Sequence, residues 1–138
     1  MKKTVAFILS TNYAGSHYLS LMLGSHPCAA HVGEVKALRK PAGSSGKQYC
    51  YVCGSAERCP VFQGISPESI DRAYDIIFSN VPPDVQVLID ISKKPFWARR
   101  YLHCGDFSRT YIHLIRDPRA LIRRWLRMPE KKRWKQRL

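Results

Sequence analysis

The chain has 138 residues, of which 45% are hydrophobic, and a formal net charge of +13. This length suits one domain with a sizeable core, and the hydrophobic content excludes wholesale disorder. Every apolar run in the sequence is shorter than the roughly 20 residues that a membrane-spanning helix needs.

The positive charge is concentrated in the last third of the chain. Residues 99–138 contain 13 of the 23 Lys and Arg residues but only 3 of the 10 acidic residues. A basic segment of this kind suits a nucleic acid, an acidic membrane face or a small polyanionic ligand, or it is a solvated tail.

Residues 4–23 predict a buried strand, a small-residue turn and a helix. The apolar run at residues 5–9 is short and is interrupted at Ser10. Although Lys2 and Lys3 precede it, this interruption favours a first strand and a cytoplasmic chain over a signal peptide.

The turn after this strand is a candidate anion site. The first backbone N–H groups of a helix are unpaired and point toward the turn. Gly15 permits close approach of a phosphate, and Ser16 and His17 add side-chain donors. The two common nucleotide-loop motifs, G-x-x-x-x-G-K-[ST] and G-x-G-x-x-G, are absent, and an ordinary strand, glycine turn and helix would give the same pattern.

The cysteines suggest a metal site and not a disulfide framework. Their number, five, is odd, and the sequence has no convincing secretory signal. Cys50 and Cys53 have the C-x-x-C-G spacing of a zinc knuckle, and Cys59 is a candidate third ligand. The alternative is that reduced thiols pack an insertion. The fourth ligand is left open among Cys28, His26, His31 and Cys104.

The remaining elements alternate between helix and strand. Ser66 as N-cap and Pro67 at the first helical position predict a helix that ends at Asn80. Its apolar face is predicted to comprise Ile70, Ala73, Tyr74 and Ile77. Further predictions are strands at residues 85–89 and 111–115, a short helix at residues 96–103, and a helix from Pro118 to about Met128. This alternation predicts an α/β fold with a parallel sheet.

Polar residues follow all three predicted strands, at residues 10–16, residues 90–93 and Arg116. Ligands of parallel sheets bind beyond the carboxyl ends of the strands. These three segments are therefore expected to form one anion-binding site.

Several short segments, in the same order along the chain, resemble the sulfotransferases that use 3′-phosphoadenosine 5′-phosphosulfate. The loop at residues 13–17 resembles the 5′-phosphosulfate loop of that family, and residues 90–93 resemble its D-x-S-K segment. Residues 114–120, which include Arg116, are similar to its 3′-phosphate strand and helix. The G-[ST]-H-Y-L form of the loop is similar to bacterial carbohydrate sulfotransferases. His26-Pro27 and Gly33-Glu34 also resemble the family's next two landmarks.

The resemblance implies a fold and a domain plan. The fold would be a P-loop-like, three-layer α/β/α arrangement over residues 1–128, incomplete at the C-terminus relative to the family. A cysteine-containing insertion would occupy residues 41–64, approximately, and residues 129–138 would be a basic tail.

The resemblance also implies transfer of a sulfuryl group to a hydroxyl of a carbohydrate or small metabolite. Glu34 would be the general base, with His17 as the second candidate. Any zinc would be structural. The residues implied to bind the nucleotide are Tyr13, Ala14, Gly15, Ser16, His17, Tyr18, Arg116 and Arg124.

Two positions depart from the family pattern: Tyr13 replaces a basic residue, and Arg124 replaces a serine. The missing charge at Tyr13 would then come from His17 or Lys93. Arg116 also has a structural alternative, which is an ion pair with Asp117 or a neighbouring carboxylate. A different function, a non-catalytic zinc-knuckle module that binds nucleic acid, would use Trp125 and Trp134 for stacking. It ranks lower because it leaves the three polar strand ends unexplained.

Overall fold

The computed structural model describes residues 2–39 and 59–127. These residues contain four strands: β1 (Thr4–Ser10), β2 (Ala29–Gly33), β3 (Val87–Lys93) and β4 (Ser108–Leu114). They form one sheet in the order β2-β3-β1-β4, and each neighbouring pair is parallel. The predicted α/β class with a parallel sheet is therefore confirmed.

Helices flank both faces of the sheet. Because side chains alternate along a strand, Val5 and Phe7 of β1 pack on one face with aromatic residues of two helices, whereas Ala6 and Ile8 pack on the other face with Leu19. The helices are α1 (Ser16–Leu23), α2 (Ala73–Asn80), α3 (Pro95–Arg100) and α4 (Pro118–Leu126). Short 3-10 turns lie at Val35–Arg39, Pro60–Phe62 and Ile70–Arg72.

Strand β2 was not predicted from the sequence. It has five residues and no alternation of apolar and polar side chains. Its position is fixed by β3, because the carbonyl oxygen of Cys28 accepts hydrogen bonds from the backbone N–H groups of Gln86 and Val87, at 2.8 and 3.0 Å. The segment that directly precedes Glu34 is therefore a strand.

The predicted start of the second helix at Ser66 was wrong. Ser66 and Ser69 close a turn on each other: Ser66 Oγ accepts from the Ser69 N–H at 3.3 Å, and Ser69 Oγ accepts from the Ser66 N–H at 2.8 Å. A 3-10 turn follows, and the α-helix begins only at Ala73. The predicted apolar face is confirmed, since Ile70, Ala73, Tyr74 and Ile77 are all buried.

Other predicted bounds move by a few residues. The fourth strand begins at Ser108, and helix α3 runs from Pro95 to Arg100. Helix α4 begins at Pro118, as predicted, with the Asp117 carboxylate accepting the Arg119 N–H at 2.8 Å as its N-cap.

Strand β3 begins later than predicted, at Val87, and continues through a buried polar cluster. Asp90 and Ser92, which were expected beyond the strand, lie inside it and are both buried. Tyr74 donates its hydroxyl to Asp90 Oδ2 at 2.7 Å, Ser92 Oγ donates to the same oxygen at 3.0 Å, and Trp97 Nε1 donates to the Tyr74 hydroxyl at 2.9 Å. Burial raises the pKa of the Asp90 carboxyl. These hydrogen bonds join α2 and α3 to the centre of the sheet.

Replacing Tyr74 by Phe should destabilise the fold. The change removes a donor from Asp90 and an acceptor from the Trp97 indole, and leaving such groups unpaired costs about 1–3 kcal/mol. Urea unfolding of both proteins measures the difference in the free energy of unfolding. The matched control is Tyr111→Phe. Tyr111 stacks on Phe7, but it is exposed, so removal of its hydroxyl should lower the free energy of unfolding by less than about 0.5 kcal/mol. Equal stabilities of Tyr74→Phe and the wild type would contradict the importance of this network.

Candidate functional site

The loop between β1 and α1 presents backbone N–H groups at the carboxyl end of the sheet. Gly15 is the N-cap of α1, has φ +101°, and provides no side chain that would cap the helix. The Ala14 N–H bonds the Thr11 carbonyl at 3.4 Å and closes the turn. The N-terminus of an eight-residue helix therefore opens at this loop, as the sequence predicted.

Arg116, two residues beyond the end of β4, lies next to this loop. Its Nη1 donates to the carbonyl oxygen of Tyr13 at 2.8 Å. Asp117 pairs with Arg119 instead, at 2.7 Å, so the alternative of an Arg116–Asp117 ion pair is not what forms. The loop expected to bind the 5′-phosphosulfate and the arginine expected to bind the 3′-phosphate are thus in direct contact.

Arg124 of α4 contacts the side chain of the same loop residue. Its guanidinium carbon lies 5.4 Å from the centre of the Tyr13 ring, within the range of a cation–π contact. The backbone of Tyr13 itself is left-handed, with φ +66°. Tyr13, whose side chain brings no positive charge to the loop, is therefore contacted by two arginines, Arg116 and Arg124.

On the other side of the loop, Lys93 ends β3 in an irregular backbone conformation. The pairing of β1 with β3 shifts register between Phe7 and Leu9, and Lys93 has φ +66°. Bulges of this type redirect side chains at the ends of sheets. The Lys93 ammonium forms an ion pair with Glu34 Oε1.

These groups line one cleft with a volume of about 590 Å3, in the range of small-molecule sites. Glu34 is the one carboxylate among its described lining residues, against the cations Lys93, Arg116 and Arg124. The cleft is therefore suited to an anion. Its lining comprises Asn12, Tyr13, Gly15, Ser16, His17, Glu34, Ile91, Lys93, Arg116 and Arg124.

Most of the predicted site residues meet in this cleft. Two do not line it: Ala14 is buried, and the Tyr18 side chain is 70% exposed on α1. Three further lining residues, Asn12, Ile91 and Lys93, lie in the segments at residues 10–16 and 90–93 that were predicted to form the site, although none of them was assigned to the nucleotide. Lys93 had two sequence signals, its position after the second predicted strand and the resemblance to the D-x-S-K segment.

The two histidines near the cleft form a pair. The centroids of the His17 and His31 rings are 5.2 Å apart, and the two ring planes are nearly perpendicular. Burial, and secondarily the charge of His17, lowers the pKa of His31. His31 Nδ1 is buried without a hydrogen-bond partner among the described residues.

The predicted zinc site lies mostly outside the described residues, since Cys50 and Cys53 fall in the gap at residues 40–58. Cys59 is buried, and Cys28, Cys59 and Cys104 are free thiols. Within residues 2–39 and 59–127, no three His, Cys, Asp or Glu side chains are close enough to hold a metal ion. The zinc ion stays a prediction.

Of the aromatic residues proposed to bind nucleic acid, Trp134 is also outside the described residues, whereas Trp125 is partly exposed on α4. Among the helices that the structure describes, none combines the length and the apolar character needed to cross a membrane.

Searches with the whole chain find no matching family model, no matching curated protein and no matching solved structure. The functional argument therefore depends on the residues of the cleft.

The lowered pKa of His31 predicts a specific pH dependence of stability. The folded protein binds a proton at His31 less readily than the unfolded chain, whose histidine pKa is about 6.5. The contribution of His31 to the free energy of unfolding is therefore complete above that pH and decreases as the pH falls through it. His31→Gln should remove this decrease, as measured by urea unfolding at pH 7.5, 6.5 and 5.5.

The control for this measurement is His103→Gln at an exposed position, which should retain the wild-type pH profile. If His31→Gln lost stability below pH 6.5 to the same extent as the wild type, burial of His31 would not be the cause of that decrease.

Proposed function

We propose that this chain binds 3′-phosphoadenosine 5′-phosphosulfate in the cleft and is a sulfotransferase that acts on a hydroxyl of a carbohydrate or small metabolite. The observation that supports this most directly is the hydrogen bond from Arg116 to the Tyr13 carbonyl. It brings the cation after β4 and the helix N-terminus after β1 into one site. A nucleotide with phosphates at both its 3′ and 5′ positions needs two such groups side by side.

The donor set fits this nucleotide in chemical terms. Backbone N–H groups at a helix N-terminus suit the 5′-phosphosulfate. The planar guanidinium of Arg116 suits bidentate binding of the 3′-phosphate, and Arg124 of the same cleft would assist it. On this proposal the fold is a P-loop-like, three-layer arrangement in which the loop at residues 13–18 binds the 5′ end of the nucleotide.

The nucleotide supplies an activated sulfuryl group attached to a phosphate leaving group. The chain supplies two functions to the reaction. The N–H groups from Gly15 to Tyr18 stabilise charge that develops on the transferring group. Glu34, which lines the same cleft, accepts the proton of the attacking hydroxyl, with His17 as the second candidate base.

The positive charge expected at Tyr13 has a substitute. Tyrosine is neutral at pH 7, but the Arg124 guanidinium lies over its ring and the Arg116 guanidinium bonds its carbonyl. Two arginines, Arg116 between β4 and α4 and Arg124 on α4, thus supply positive charge where the family pattern has one loop cation.

Titration calorimetry with adenosine 3′,5′-bisphosphate tests the proposal. The wild type should bind, and Arg116→Ala should weaken binding by about 10- to 100-fold, because a charged hydrogen bond contributes about 1.5–3 kcal/mol. Arg123→Ala is the matched control, since Arg123 is an exposed arginine on α4 that does not line the cleft. Its affinity should stay within about twofold of the wild type.

Absence of binding by the wild type, or equal affinities of the wild type and Arg116→Ala, would overturn the proposed function.

A further inference from the structure

The ion pair between Lys93 and Glu34 joins two residues with different expected tasks. Lys93 is a cation that lines an anion-binding cleft, and Glu34 is the candidate base. The Lys93 side chain is 15% exposed and that of Glu34 is 43% exposed. An ammonium that donates to Glu34 Oε1 competes with an acceptor hydroxyl for that oxygen.

The neighbouring lysines do not take the same place. Lys36 Nζ donates to the Ser92 carbonyl at 3.3 Å, and the Lys36 N–H donates to Ser92 Oγ at 3.0 Å. Lys94 is exposed and does not line the cleft. Among the described lysines, Lys93 is thus the one that lines the cleft and also pairs with Glu34.

The backbone of Lys93 also points to a functional constraint. A non-glycine residue with positive φ costs free energy, and such residues concentrate at ligand sites. Here the irregular end of β3 brings the lysine to the cleft. A lysine ammonium on a flexible four-carbon stem can exchange between partners, whereas the fork of an arginine is more restricted.

We infer that Lys93 is a shared cation, which exchanges between Glu34 and the 5′-phosphosulfate, so that binding of the nucleotide frees Glu34 to act as the base. This inference rests on the proposed function and assigns a switch to the same site. Lys93 is a positioning residue for Glu34 and a direct ligand of the anion. The exchange couples occupation of the cleft to the availability of the carboxylate.

A double-mutant cycle with adenosine 3′,5′-bisphosphate as the probe tests the exchange. Lys93→Gln should weaken binding by about tenfold, the scale of one charge-assisted hydrogen bond. Glu34→Gln should strengthen binding by about threefold to tenfold, because the competing partner of Lys93 is removed. In the Lys93→Gln background, the change Glu34→Gln should alter affinity by less than about twofold, since no shared cation remains.

The cycle separates exchange from long-range repulsion between Glu34 and the nucleotide. Repulsion would give the same gain from Glu34→Gln in both backgrounds, and that result would overturn the inference. Lys94→Gln removes a neighbouring charge that does not line the cleft, and it should leave affinity within about twofold of the wild type. Thermal unfolding of each variant verifies that it is folded.

The outcomes also separate the two proposals. A wild type that binds the nucleotide but shows an additive cycle overturns the exchange alone. A wild type that does not bind overturns the proposed function and the exchange together.

Discussion

The buried carboxylate of Asp90 constrains the geometry around the cleft. A charge-bearing side chain inside a central strand is tolerated only when its oxygens are hydrogen-bonded, and here Tyr74 and Ser92 supply those bonds. Ser92 Oγ also accepts the N–H of Lys36 at 3.0 Å. The carboxylate is therefore connected through one hydroxyl to the 3-10 turn that follows Glu34. The position of the candidate base and the path of β3 are consequently set by the same buried group.

The backbone around the cleft is strained at two residues. Tyr13 and Lys93 have left-handed conformations although neither is glycine, and each such residue costs on the order of 1–3 kcal/mol. Gly15 and Gly33 take the same region of φ where glycine makes it inexpensive. The packed aromatic core beneath the sheet, with Phe7 and Tyr74 in edge-to-face contact at 5.4 Å, offsets this local strain. The packed core acts as a rigid scaffold, and the strained residues lie in the segments that form the site, as is usual in proteins.

The parts of the fold that local signals specify were predictable from the sequence. Strand β1, the Gly15 turn and the start of α4 at Pro118 each depend on neighbouring residues. The contact of Arg116 with the loop follows once β1 and β4 are parallel neighbours in the sheet. Strand β2 depends instead on hydrogen bonds to residues more than 50 positions away. The partners Glu34 and Lys93 are likewise 59 residues apart. No local pattern specifies such contacts, so β2 and the ion pair had to come from the structure.

On the proposed function, Tyr13 stands where the family pattern has a loop cation, and the positive charge comes from other residues of the cleft. A lysine or arginine at that position would place its charge beside the bridging oxygen of the nucleotide. Here the charge comes from Arg116 and Arg124 on the β4 side and from Lys93 on the β3 side, so the N–H groups of α1 lie between cations of separate elements. Because Arg124 contacts the ring of Tyr13 and Arg116 contacts its carbonyl, the tyrosine holds both guanidinium groups against the loop. On the proposed function, Tyr13 lacks the charge of the residue that it replaces, but it contacts both arginines that supply positive charge instead.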